Sequence, residues 1–285
     1  MSHAGNFAPQ AFLAFDHRNL FDRLLAQSSI PEEKRFATIV CIKDMIHCAA
    51  LNVISPSQMK LPSFAILVDE KYAATVLLNA RAHKMPVALS VERNEAPQFT
   101  LEYGDHWKSH AQALAPNYIK VLIHWSSNSI DNEPTITLLL QVFKWTSENE
   151  YGLLLEIIPE AGKTHLIIQA ARQIQKLGIN PRFWKIPVPA SIDEAKNIIE
   201  SAMAADSSVP EIFLLGGARS ASDARAAIMP FLSIPGISGW AVGRAIWGDA
   251  VNNYVSGRFS ERECIELITK ELIDFLKIIS PIQAS

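Results

Sequence analysis

Two lysines stand where local chemistry calls for apolar side chains. In NYIKVLIHW (117–125) Lys120 interrupts an apolar, strand-like run, and in PRFWKIPVP (181–189) Lys185 does the same. Side chains alternate across a strand, so Lys120 shares a face with Tyr118, Leu122 and His124, while Ile119, Val121, Ile123 and Trp125 form an unbroken apolar face. The apolar face is the one that packs under helices, which turns Lys120 the other way. The same parity sets Trp184, Ile186 and Val188 against helices and turns Lys185 inward. A buried ammonium without a partner tends to shed its proton, and a second cation nearby pushes in the same direction. The neutral amine that results is the nucleophile an enzyme needs to form a Schiff base with a ketone. Either lysine alone reads as readily as a strand-end side chain reaching solvent, or as half of a structural ion pair. The pair favours the nucleophile.

A third ionisable group, Glu156 in LLLEIIPE (153–160), lies in a run between the two lysine-bearing ones in chain order. It is placed to move protons during carbinolamine formation and carbon–carbon cleavage, or to serve as a lysine's counter-charge. Asp16 in AFDHR and Asp69 in LVDEKY fall at the carboxyl ends of the first two runs, where barrel enzymes build their sites; each also suits a cap or loop hydrogen bond. LLGGARS and AVGRAIW supply Gly216, Gly217, Gly243 and Arg244, with Arg219 nearby, a composition that suits phosphate binding by backbone N–H groups. Tight turns after strands need glycine in any case. His17 and His124 also stand at run ends, but no HxH or HExxH spacing accompanies them, so no metal is expected.

Something must hold these residues in place. Eight apolar runs recur along the chain, at 12–18, 64–70, 87–93, 118–125, 153–160, 183–189, 211–217 and 239–247, separated by stretches with helical spacing. The separators carry helix-end signals: Pro31 with Glu32 and Glu33, a Ser191-x-x-Glu194 capping box, and Gly178 after Lys176. Between the third and fourth runs, NEAPQFTLEYGDHW reads as a loop with one extra short strand. Near-continuous apolar strands imply a parallel sheet covered by helices, and eight in series imply closure. The expected fold is a single (β/α)8 barrel domain over residues 1–285, an α/β TIM barrel, with residues 1–10 as a tail.

Composition narrows the partners. A net charge of −3 with no long Lys/Arg run leaves no electrostatic footprint for nucleic acid or a membrane surface. No signal-peptide pattern opens the chain, and no apolar run is read as approaching the ~20 residues that span a bilayer, so a cytoplasmic location is expected. Three cysteines, Cys41, Cys48 and Cys264, make no disulfide framework, and Cys41 and Cys48 read as small core residues. Association of copies through outer helices is left open.

In order along the chain, LAFDHR, LVDEKY, YIKVLIHW, LLEIIP, WKIPVP and AVGRAIW resemble the class I aldolase family that contains tagatose-bisphosphate aldolase and sulfofructose-phosphate aldolase. The nearer likeness is to the aldolase-like domain fused to the C-terminal side of some 5-dehydro-2-deoxygluconokinases of inositol catabolism, and it covers roughly residues 10 to 278. The resemblance implies that Lys185 forms the Schiff base, Lys120 assists and Glu156 is the acid/base. It implies that Asp16 contacts the reacting end of the substrate, and that the glycine-containing ends of the last two runs hold phosphate. Arg18 and Asp69 are further substrate-binding candidates. No cofactor is implied. The chain departs from the tagatose-type pattern where Pro187 follows Lys185-Ile186 in place of an acidic residue, where LLGGARS replaces a Ser-Ala-Gly loop, and where His124-Trp125 replaces a Tyr-Tyr pair. The expected activity is cleavage of a phosphorylated keto sugar or keto sugar acid, with 5-dehydro-2-deoxygluconate 6-phosphate, giving malonate semialdehyde and dihydroxyacetone phosphate, as the first candidate. Another phosphorylated ketose, or a barrel that binds a sugar phosphate without turnover, is the alternative.

Overall fold

The computed structural model describes residues 8–54, 61–93, 98–160, 163–203, 208–217 and 220–279. Along the chain run β1 (Ala11–Ala14), α1 (Asn19–Ala26), α2 (Glu32–Ile54), β2 (Phe64–Asp69), α3 (Ala74–Ala82), β3 (Val87–Ser90), α4 (Trp107–Leu114) and β4 (Tyr118–Trp125). They are followed by α5 (Ser129–Glu148), β5 (Gly152–Pro159), α6 (His165–Lys176), β6 (Phe183–Ile186), α7 (Ile192–Ala202), β7 (Ile212–Leu215), α8 (Ala221–Ile228), β8 (Ile237–Val242), α9 (Arg244–Val255) and α10 (Glu261–Lys277). The strands pair in the order β1 to β8 and close, and every pairing with a defined register is parallel. The (β/α)8 barrel read from the sequence is therefore the fold.

Helix starts obey capping chemistry. The side chains of Ser191, Ser220 and Ser260 each accept a hydrogen bond from the backbone N–H three residues on, and Ser260 with Glu263 forms a full capping box. Gly178, with φ +73°, turns the chain out of α6 in the left-handed region that glycine enters at no steric cost. The extra strand expected after β3 is a single antiparallel bridge between Glu92 and Leu101.

Element ends differ from the sequence reading. The first strand stops at Ala14, so Asp16, His17 and Arg18 follow it, and the last stops at Val242, so Arg244 opens a helix. Ile246, Trp247, Ala250 and Val251 are buried along that helix, and an apolar run of this kind does not announce whether strand or helix carries it. The expectation that Cys41 and Cys48 are core residues fails: Cys41 is half-buried and Cys48 exposed, because a face of α2 two turns long need not point inward throughout, whereas Cys264 is buried. By length and composition α2 could cross a membrane, at 23 residues and a mean hydropathy of 1.5, although half of that window is buried within the fold. The sequence expectation that no run approaches a span misses this helix, because Lys43, Asp44 and His47 break the run as it is read residue by residue.

By internal contacts the chain divides into two units, one of Ala88–Leu215 with Pro230–Trp240, the other of Ala8–Val87, Gly216–Met229 and Ala241–Ser285. In the second unit α2 and α9 both pack on α10. Trp247 stacks on Phe21 at 4.8 Å and donates its indole N–H to the Ala14 carbonyl at 3.0 Å. Burial pushes His47 of α2 below the ordinary histidine range, against a smaller opposing effect of Asp44 and alongside a smaller effect of His83 in the same direction. A histidine held neutral in the folded state contributes stability above its unfolded value near ~6.5, and loses it as pH falls through the lower folded value. Stability measured by denaturant titration should accordingly decline as pH drops below about 6.5, and the His47→Gln variant should flatten that decline. Parallel curves for both proteins would refute the assignment.

Candidate active site

The first unit contains a ladder that fixes the site. Ser90 pairs with Lys120, Lys120 with Leu154, and Glu156 with both Leu122 and Lys185. Residues abreast in a parallel sheet point to the same side, so Ser90, Lys120, Leu122, Leu154, Glu156 and Lys185 share one face. This is the inward placement the parity of the sequence requires.

Beneath the charges on that face lies an aromatic floor. Tyr118 packs edge-on to Phe183 at 5.0 Å, and Phe183 edge-on to Phe213 at 5.3 Å. Gly152, abreast of Tyr118, makes room for the floor: a Cβ there would lie 2.7 Å from Cδ1 of the Tyr118 ring. Burial holds the Tyr118 phenol neutral, pushing it up to about 12. All three rings are buried, and Phe213 stands abreast of Lys185.

Above it the charged groups converge. Lys120 and Lys185 are 1% and 2% exposed, and Glu156 5%. Lys185 Nζ donates to Glu156 Oε2 at 2.8 Å, and Lys120 Nζ lies 3.0 Å from the same oxygen. The two amines thus meet at one carboxylate. Glu156 stands two residues beyond the level of Lys120 on the neighbouring strand, about 6.6 Å along it, which an extended lysine side chain spans. The convergence and the counter-charge role allowed to Glu156 by the sequence both appear here: each ammonium is ion-paired, which offsets the cost of burying its charge.

A second carboxylate escaped the sequence reading. Glu92, just past β3 and 2% exposed, accepts from Lys120 Nζ at 2.6 Å and from Ser90 Oγ at 2.9 Å. Its signal was an acidic residue two positions beyond Ser90 in an apolar run, on the Lys120-bearing face, but its partner depends on strand register.

The remaining candidates lie in the other unit. Asp69 ends β2 with both oxygens engaged: one takes Lys43 Nζ in a fully buried ion pair, and the other accepts the Tyr72 backbone N–H at 2.9 Å. The Tyr72 contact is the loop hydrogen bond the sequence allows for Asp69; the ion pair with Lys43 is not foreseen there. Lys43, unmarked by the sequence reading, sits between the rings of Phe21 and Tyr72 at 5.2 and 5.6 Å. Burial pushes its ammonium down, opposed by Asp69 and then by Asp16. Asp16 and Arg18 are buried, and Arg18 immediately precedes α1. Gly216 is buried and Gly217, at φ +65°, is exposed; Arg244 is exposed at the start of α9. At Gly243 any side chain would collide with the Ala14 carbonyl oxygen, so close backbone approach alone requires glycine there. Arg219 lies outside the described residues.

A separate cavity of about 450 Å³ in the first unit is lined by Gln98, Phe99, His124, Trp125, Asp131 and Glu160, among others, and includes neither Lys120 nor Lys185. Lys163 and Ser127 hold Glu160 ionised, lowering it to about 2.

The family model described as "Uncharacterized protein conserved in bacteria (DUF2090)" matches residues 4–280. No curated protein sequence matches the chain. Among solved structures, the fructose-bisphosphate aldolase of Plasmodium falciparum is similar with a TM-score of 0.63 at 9% identity, covering 95% of this chain and 91% of its own. An archaeal fructose-1,6-bisphosphate aldolase, captured with its catalytic lysine bound to the carbinolamine intermediate, is similar with a TM-score of 0.57 at 15% identity, covering 93% and 94%. Cgl0159 of Corynebacterium glutamicum is similar with a TM-score of 0.58 at 15% identity, covering 92% and 86%. At such identities the likeness establishes a shared barrel fold.

Proposed function

The chain belongs to the bacterial DUF2090 family, and from that premise we propose that it is a class I aldolase, cleaving a phosphorylated keto sugar or keto sugar acid through a Schiff base on Lys185. The observation that carries this reading is the pair of buried amines, Lys185 and Lys120, meeting at one Glu156 oxygen 2.8 and 3.0 Å away. Support also comes from solved aldolases of the same fold, one holding a lysine-bound carbinolamine.

The contacts map onto a balanced sequence of steps. Lys185 passes a proton along its hydrogen bond to Glu156 and, now neutral, attacks the substrate carbonyl carbon to form a carbinolamine. Glu156 returns the proton to the departing hydroxyl; water leaves, and an iminium remains. With its carboxylate regenerated, Glu156 removes the proton of the hydroxyl β to the former carbonyl. The carbon–carbon bond breaks, an aldehyde departs, and the bonding electrons flow into the iminium to give an enamine. Protonation of the enamine carbon and addition of water release the ketone product and restore Lys185. Lys120 contributes a fixed positive charge beside Glu156, favouring the steps in which negative charge develops there.

The first substrate candidate is 5-dehydro-2-deoxygluconate 6-phosphate, with malonate semialdehyde and dihydroxyacetone phosphate as products; tagatose-bisphosphate and sulfofructose-phosphate types are the comparison substrates. Gly216, Gly217, Gly243 and Arg244 are proposed as phosphate-binding groups, with Asp16 and Arg18 as further substrate contacts. A coupled assay for dihydroxyacetone phosphate across these compounds tests the proposal. Turnover of one of them is expected, and its rate should be unchanged by EDTA, since electron withdrawal comes from the iminium. Activity lost to the chelator and restored by zinc would contradict the Schiff-base reading, and silence with every compound would remove the assignment.

A further inference from the structure

Resting on the aldolase reading, we propose that Glu92, seated by Ser90, is a positioning residue that keeps Lys120 charged and thereby leaves Glu156 free to exchange its proton with Lys185. The register makes the point. Lys120 lies abreast of Ser90 on one side and Leu154 on the other; Glu92 and Glu156 each stand two residues further along their own chain segments. The Lys120 ammonium therefore rises between two carboxylates, Glu92 at 2.6 Å and Glu156 at 3.0 Å, and the Glu92 contact is the shorter. On the same face of β4, Tyr118 and Leu122 stand two residues either side of Lys120 and His124 four residues further on; Ser90 is abreast on β3, and Lys185 is reached through Glu156.

Among the groups that meet here are two lysines and two carboxylates, Lys120, Lys185, Glu92 and Glu156. Were Glu156 the carboxylate shared by both lysines without Glu92, taking the Lys185 proton would weaken its pairing with the buried Lys120 ammonium, which is costly. Glu92 removes that conflict. With Lys120 neutralised by Glu92, proton transfer from Lys185 to Glu156 occurs within a second pair of no net charge, and Lys120 remains a cation that repels the proton on Lys185. The Ser90 hydroxyl donates to the Glu92 oxygen that also receives Lys120, which fixes the carboxylate in place.

The test is the pH dependence of borohydride trapping. Wild type, Glu92→Gln, Glu92→Asp and Ser90→Ala are incubated with a ketose phosphate the wild type cleaves, and the adduct is measured from pH 5 to 9. Without the Glu92 charge, Lys120 sheds its proton more readily, its repulsion of the Lys185 proton disappears, and trapping needs higher pH. For Glu92→Gln the rate at pH 7 should fall about 10- to 100-fold, with the rising limb displaced upward by roughly 1 to 2 pH units. Glu92→Asp, which keeps the charge, should recover most of the displacement. Ser90→Ala, a minimal change in volume, should move the limb the same way by less, and it serves where Glu92→Gln does not fold. Limbs that coincide with wild type, or rates lowered equally at every pH, would overturn the role of Glu92. Failure of wild type itself to form an adduct with any ketose phosphate would instead overturn the aldolase reading, and this inference with it.

Discussion

Replacing Lys185 by methionine is expected to lower retro-aldol turnover by about 10⁴-fold or more while leaving the barrel folded. Methionine fills most of the volume of the lysine stem and is tolerated in apolar surroundings, and those surroundings are on hand: Lys185 rises beside Phe183 and abreast of Phe213. Glu156 keeps Lys120 as a partner at 3.0 Å, so the substitution does not strand a buried carboxylate. The kinetic loss should appear in kcat, because the deleted group makes a covalent bond, with ligand binding retained. Near-wild-type kcat in a folded Lys185→Met protein would show that the amine takes no part in chemistry.

The second large effect is expected at Glu156. Glu156→Gln keeps the shape and one acceptor for the lysines but cannot take a proton; turnover should fall by about 10² to 10⁴-fold, the range of general acid–base catalysis. This variant separates the two roles open to the carboxylate. As a counter-charge alone, its removal would leave Lys185 a freer amine, and adduct formation would be as fast as wild type or faster. As the acid/base, its removal should slow both adduct formation in a single-turnover experiment and release of the aldehyde. A cost in stability is expected as well, since removing one partner of a buried ion pair commonly costs about 3–5 kcal/mol, so the comparison belongs at a temperature where both proteins are folded.

The residues that carry these predictions were legible because they obey the simplest periodicity in proteins. The alternation in YIKVLIHW and FWKI fixed the inward direction of Lys120 and Lys185, and β4 runs over the span its apolar residues mark, Tyr118–Trp125. Eight such runs with helical spacers sufficed for the closed barrel. Contacts that depend on register or on docking were not legible. Glu92 meets Lys120 because Ser90 pairs with it, a fact of strand alignment. Lys43 meets Asp69 across 26 residues because α2 lies where it does, and a lysine within a long helix reads as solvent-facing until that placement is known. Element ends were also lost where apolar character continued past a change of backbone, as from Val242 into the helix that opens at Arg244.

The central claim, that a proton moves from Lys185 to Glu156 and frees an amine to bond carbon, is tested most directly by peptide mapping after borohydride reduction with 5-dehydro-2-deoxygluconate 6-phosphate and the other ketose phosphates. Mass spectrometry should find one substrate-derived, reduction-fixed adduct, on the peptide containing Lys185, with stoichiometric loss of activity. An adduct confined to exposed lysines, or none in a protein that still cleaves its substrate, would contradict the account.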